Sequence, residues 1–229
     1  MSKPRTLLLF LLVIAGYEAN AQYTDENPAV DNWYSQPDGI NYLLERYRPI
    51  YNFRPHETIA SIGAGQGIRE VVYSLMVDSL TIHVQDINPV WLEPVRLAKT
   101  VRTVYAQAGR TECSATFVPV RGTEKETRLP SQFFDKIIIE NSLHEFSYPN
   151  DVLRSVRASL KADGHLFIWE DIAQKPGRKH SGCKNPMFTD ESLLKMLADN
   201  GFRFVDKTLV NPPRGSDAVF RFRLRPHGE

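Results

Sequence analysis

Two kinds of apolar pattern alternate along this chain. Short apolar runs have the length of strands: TIASI (58–62), LTIHVQ (80–85), ATFVPV (115–120), the strongly β-branched FFDKIIIE (133–140) and HLFIWE (165–170). Between them, apolar residues recur at helical spacing. GINYLLERY (39–47) sets Ile40, Leu43, Leu44 and Tyr47 on one face, and IREVVYSLMV (68–77) does the same with Val71, Val72, Leu75 and Met76. WLEPVRLAKTVRTVYA (91–106) and DVLRSVRASL (151–160) continue the series, and KADG (161–164) reads as a turn into the next strand. TDESLLKMLADNG (189–201) has Thr189 placed as N-cap and Gly201 as C-terminal stop. The last two runs, FRFVDKTLV (202–210) and DAVFRFRLRP (217–226), follow one another with no helix between them. The pattern predicts an α/β three-layer sandwich: a mostly parallel seven-stranded sheet, helices on both faces and an antiparallel hairpin at one edge. FFDKIIIE, apolar on both faces, should be the central strand. The irregular segment 171–187 follows a strand's carboxyl end, which makes it a candidate lid.

The first residues change the picture at one end only. Lys3 and Arg5 precede the apolar run LLLFLLVIAG (7–16), and Ala19 and Ala21 follow in the small-residue pattern of a cleavage site. Residues 1–21 are expected to be an export signal, with Gln22 starting a periplasmic or secreted protein; a leader retained on a cytoplasmic or membrane-associated protein is the alternative. Residues 22–54 form a lead-in segment with a cover helix, and 55–229 the principal domain. No second apolar run has membrane length, so no stable span is expected in the mature form. A formal net charge of +1 gives no ground for a nucleic-acid partner. Cys113 and Cys183 could pair or stay free.

The stretch SIGAGQG (61–67) raises the chemical question. A phosphate-binding P-loop needs a Lys and a Ser or Thr after its last glycine, and GAGQGIRE has neither. A dinucleotide fingerprint needs a glycine where this chain has Ile68, which disfavours an NAD-dependent oxidoreductase. The spacing of Gly63, Gly65 and Gly67 instead resembles the first motif of class I S-adenosylmethionine-dependent methyltransferases. Further segments extend the resemblance in order over residues 38–225. Asp86 ends the second strand, FDKIIIENSLHEF resembles the fourth-strand motif, LKADGHLFIWED the turn into the fifth strand, and MFTDESLLKMLADNGFRFVD the last helix and sixth strand. The resemblance implies a Rossmann-like fold, S-adenosylmethionine as cofactor and a small-molecule methyl acceptor. It places Ser61, Gly63, Gly65, Gly67, Asp86, Ile87, Glu140 and Asn141 at the cofactor, with Asp86 against the ribose hydroxyls. Ser61 stands where the family has an acid that pairs with the methionyl amine, so weaker cofactor binding is expected unless Glu140 or Glu70 compensates. Gly122 and Thr123 stand where an acid often meets the adenine amino group.

Methyl transfer requires alignment, and a base only where the acceptor must lose a proton. At the end of the fourth strand, His144 is the candidate base, with Glu145 to orient it; packing of His144 under the following turn is the alternative, and Asp171 is a further acidic candidate. His180 and Cys183 have metal-compatible spacing but make only half a zinc site, so 171–187 reads as a polar lid and no metal is expected. Arg221, Arg223 and Arg225 read as solvated edge charges. Trp33, Tyr34, Tyr42 and Tyr47 either cover a substrate or pack the lead-in helix. Export and a cytosolic cofactor conflict, so a non-catalytic exported binding protein on the same scaffold remains the competing function.

Overall fold

The structure is a computed structural model that describes residues 32–212 and 216–226; the expected leader lies outside these residues. Seven strands, β1 (Thr58–Ile62), β2 (Thr81–Asp86), β3 (Thr116–Arg121), β4 (Phe134–Glu140), β5 (Leu160–Asp171), β6 (Phe202–Leu209) and β7 (Asp217–Leu224), form one sheet in the order β3-β2-β1-β4-β5-β7-β6. The first five pair in parallel, while β7 runs antiparallel to both β5 and β6. The edge hairpin expected from two strands joined without a helix is thus present. β4 lies at the middle of the order, and its isoleucines divide between the faces as the two-residue strand period requires. Ile138 joins one apolar cluster and Ile137 and Ile139 the other.

Each cluster is completed by helices. On one face, α1 (Pro37–Tyr51), α2 (Ile68–Tyr73) and α3 (Pro94–Gln107) contribute Leu43, Tyr47, Val71, Val72, Leu97 and Val104. On the other, α4 (Pro149–Ser159) and α5 (Asp190–Asp199) bury Val152, Val156, Leu193 and Leu197. No helix among the described residues is long and apolar enough to cross a membrane.

Boundaries shift where local chemistry intervenes. The helix expected over 68–77 ends at Tyr73, after which Leu75 and Met76 donate to carbonyls three residues back and the Ser74 hydroxyl bonds the Val71 carbonyl at 2.6 Å. The helix expected from Trp91 starts at Pro94, whose fixed φ and missing N–H suit a first helical position. Residues 161–164, expected as a turn, lie within β5, whose pairing with β4 slips between Phe134 and Lys136. Thr189 does cap α5, its side chain accepting from the Ser192 amide in a reciprocal capping box, and Gly201 follows with φ 82°.

Asn32 caps a short 3₁₀ turn, Trp33–Ser35, that folds directly onto the start of α1. Contact is close at Gly39, where a Cβ would lie 2.1 Å from the Trp33 carbonyl oxygen and 2.8 Å from the Tyr34 Cα. Helix propensity alone would make Gly39→Ala stabilising by about 0.5–1 kcal/mol. The backbone clash reverses the sign, and we expect Gly39→Ala to destabilise the protein by roughly 1–3 kcal/mol in urea unfolding.

Candidate functional site

Strands β1, β2 and β3 succeed one another outward in one direction and β4 and β5 in the other, so the sheet order reverses between β1 and β4. At the carboxyl end of such a switch point the loops diverge and leave a crevice. Here it is a cavity of about 360 Å³, walled by Gly63 and Gly65 after β1, Asp86 and Ile87 after β2, and Ser142 and Glu145 after β4.

The glycine loop has the shape it does because three of its residues take positive φ: Gly63 at 69°, Gly65 at 56° and Gly67 at 71°. Gly63 also has no room for a side chain, since a Cβ would lie 2.8 Å from the Ser142 hydroxyl oxygen. A Cβ at Gly65 would meet nothing within 4 Å. Asp86 ties the loop to β2. One carboxylate oxygen accepts the Gly65 amide at 2.8 Å and the other the Asn88 amide at 2.8 Å, which holds the carboxylate in a fixed orientation beside the cavity.

Ser61, Gly67, Glu140, Asn141 and His144 do not line this cavity. Ser61 is 2% exposed, and its hydroxyl donates to the Glu70 carboxylate at 2.6 Å. Glu70 is buried on α2 with its second carboxylate oxygen unpartnered, and burial, with the Glu140 charge adding to it, pushes its pKa up to about 7. Glu140, whose side chain is 6% exposed, ends β4 in a separate polar knot. It accepts from Arg69 Nε at 2.6 Å, from the Tyr73 hydroxyl at 2.7 Å and from the Tyr51 hydroxyl. The Arg69 guanidinium lies over the rings of Tyr47 at 4.8 Å, Trp169 at 4.9 Å and Tyr34 at 5.3 Å. Tyr34 and Tyr47 therefore pack the lead-in helix around this cation, while half-exposed Trp33 lies edge-on to Tyr34. Asn141 takes φ 47° and donates its amide to the Trp169 carbonyl at 2.7 Å.

His144 sits on the 3₁₀ turn Leu143–Glu145 with its side chain 2% exposed. Its Nδ1–H faces the Glu170 carboxylate at 2.7 Å, and that hydrogen bond raises the imidazole pKa to about 9. An imidazole so held keeps its proton at neutrality, which opposes a general-base role. Glu145, next to it, reaches the cavity wall. The segment 171–187 folds back through a Lys179–Pro186 bridge and brings His180 over the His144 ring, with centroids 4.9 Å apart. Cys113 and Cys183 are both exposed and free. Arg221 pairs with Asp206, and Arg223 Nε donates to His165 Nε2 at 2.8 Å.

Spacing along the chain could not single out Arg69 or Glu170. Arg69 reads as an ordinary helix cation, and Glu170 as one of two acids ending a strand. The one local signal is Glu170's position at the end of an otherwise apolar run, HLFIWE, which puts a carboxylate where burial demands a partner.

No protein-family model and no curated protein matches the chain. By structure it is similar to a SAM-dependent methyltransferase from Aquifex aeolicus, with a TM-score of 0.58 and 16% identity over 83% of this chain and 99% of the other. A TehB-like SAM-dependent methyltransferase from Corynebacterium glutamicum gives 0.54 and 13% over 85% and 89%. The [4+2]-cyclase SpnF gives 0.56 and 16% over 82% and 81%. The fold is the Rossmann-like fold of class I S-adenosylmethionine-dependent methyltransferases. At these identities the likeness defines architecture, and the cyclase among the neighbours means that the reaction must be argued from the site.

Glu70 gives the site a pH signature. Its folded pKa of about 7 lies above the ordinary 4.5, so the native state keeps a proton that the unfolded chain releases between those values. The stability this contributes is full below about pH 4.5 and is lost as pH rises through about 7. Urea unfolding of wild type and Glu70→Gln from pH 5 to 8.5 should show the wild type losing on the order of 3 kcal/mol relative to the variant.

Proposed function

We propose that the protein is an S-adenosylmethionine-dependent methyltransferase acting on a small-molecule acceptor, exported by its N-terminal leader. The observation that carries the reading is the cavity at the switch point, where the left-handed glycine turn and the anchored Asp86 carboxylate meet in one wall. Both oxygens of Asp86 keep acceptor capacity beyond the amides they already bind. That suits a ribose diol, and the neighbouring side chains of Ile87 and Trp91 offer apolar surface to a purine. The residues present therefore fit the cofactor: Gly63 and Gly65 leave room for its backbone-facing edge, Asp86 would hold the ribose, and Thr123 lies on the wall where the adenine amino group is expected.

The methionyl amine is the less favoured end. Ser61 gives its hydroxyl to Glu70, and the carboxylates that line the cavity besides Asp86 are Glu124 and Glu145. When bound, the cofactor supplies an electrophilic methyl carbon on a sulfonium. The chain's part is alignment and exclusion of water, with Glu145 placed to accept a proton from an acceptor that carries one.

Calorimetry with S-adenosylmethionine and S-adenosylhomocysteine tests the reading, and no heat at millimolar ligand would sink it. Asp86→Ala should weaken binding by about 10–100-fold, the loss of a hydrogen bond to a charged group. Glu145→Gln should lower turnover more than it weakens that affinity. Binding without methyl transfer to any extract fraction would favour the non-catalytic exported binding protein, a reading supported by the engagement of Ser61 with Glu70. Mass spectrometry of the N-terminus after host fractionation tests export, with Gln22 as the expected first residue.

A further inference from the structure

We propose that His144, His180 and Cys183 form a zinc-binding site, built by closing the 171–187 segment over the turn that follows β4. One donor atom from each residue lies within 4.8 Å of the others, against roughly 3.3–3.6 Å between the ligand atoms of a tetrahedral zinc. The Cys183 sulfur is 3.5 Å from His180 Nδ1. A tetrahedral zinc bonded at about 2.0–2.1 Å to nitrogen and 2.3 Å to sulfur holds such a pair roughly 3.5 Å apart. That pair already has coordination spacing, and an ion would draw the wider separations in by about 1 Å.

The independent observation is at His144. Its side chain is 2% exposed, yet Nε2 is buried with no hydrogen-bond partner. Burying a polar nitrogen without a partner is costly, and native structures rarely leave one so. Glu170, itself 1% exposed, accepts a hydrogen bond from Nδ1–H at 2.7 Å. This is the outer-sphere arrangement in which a carboxylate holds the Nδ1 proton of a metal-binding histidine; the ion takes the place of the proton on Nε2, which is released on binding. His180 has the beginnings of the same support, with its Nε2 3.9 Å from an Asp171 carboxylate oxygen. Its Nδ1 also faces the Cys183 amide at 3.4 Å, a long contact that zinc ligation would replace.

Imidazole and thiolate donors select a borderline-soft ion over magnesium or calcium. Three protein ligands leave a fourth position for water or for a substrate oxygen or sulfur. Glu145, on the cavity wall, has a carboxylate oxygen 3.8 Å from His144 Nε2, so the ion would adjoin the candidate active site. The proposal stands whether or not the cavity performs methyl transfer.

The test is titration of reduced, metal-stripped protein with zinc in competition with a chromophoric chelator, together with the absorption spectrum after cobalt loading. One equivalent of zinc should bind, and cobalt should give thiolate-to-metal charge transfer with intense tetrahedral d–d bands. His180 and Cys183 lie on the partly exposed segment, so His180→Ala and Cys183→Ser should fold. Both should lose more than the roughly 10–100-fold in zinc affinity expected of Glu170→Gln, the outer-sphere change. Cys183→Ser should also abolish the charge-transfer band, and Cys113→Ser should alter neither. Absence of zinc binding, or binding and a cobalt spectrum that survive Cys183→Ser, would overturn the proposal.

Discussion

The buried carboxylate of Glu140 ties two helices to the central strand. It ends the central strand in an environment where an unpaired charge would be untenable, and Arg69, Tyr51 and Tyr73 all turn toward it. Removing one partner of such a pair typically costs about 3–5 kcal/mol, because the charge left behind has nowhere to be solvated. The partners come from α1 and α2, so a single carboxylate fixes the lead-in helix and the helix after the glycine loop against the same strand. Burial keeps the Tyr51 and Tyr73 phenols protonated, their acidity suppressed well beyond its ordinary range. Tyr73 can then accept from Arg69 at 2.8 Å while donating to Glu140.

That knot also determines what the glycine loop can do. With α2 anchored through Arg69, the next residue, Glu70, is driven into the core, where it meets Ser61 rather than solvent. The strand carries Ser61, whose hydroxyl donates to the buried Glu70 carboxylate on the helix behind it and does not line the cavity. Asp86 supplies the loop's other tether through the Gly65 amide. The loop is therefore held from two directions, by a charge on β2 and by helix packing behind it.

The fourth-strand turn and the 171–187 segment form the second half of the site's architecture. Glu170 and Asp171 end β5 as neighbours, and their carboxylates serve two different histidines, His144 and His180. His144 looks from its spacing like a base beside the cofactor. Its three-dimensional partner is the buried Glu170 carboxylate on Nδ1, which leaves Nε2 as the nitrogen that faces Glu145.

The sequence alone determined the layers, the seven strands, the parallel core with its antiparallel edge and the glycine turn. Each follows from a local cause: strand and helix periods differ, β-branched runs suit a doubly covered strand, and FRFVDKTLV joins DAVFRFRLRP without the helix a parallel crossover needs. Helix and strand ends were less legible, since Ser74 and Pro94 reset them through particular hydrogen bonds and ring geometry. Gly63, Gly65, Asp86 and Glu145 line the cavity, and each stands in the sequence at or just after the end of an expected strand. The partnerships of Ser61 with Glu70, Glu140 with Arg69, and His144 with Glu170 and the His180–Cys183 pair were decided only by the tertiary structure. A buried polar group takes its partner from whichever element packs against it, and packing brings together residues whose separation along the chain carries no record of the contact.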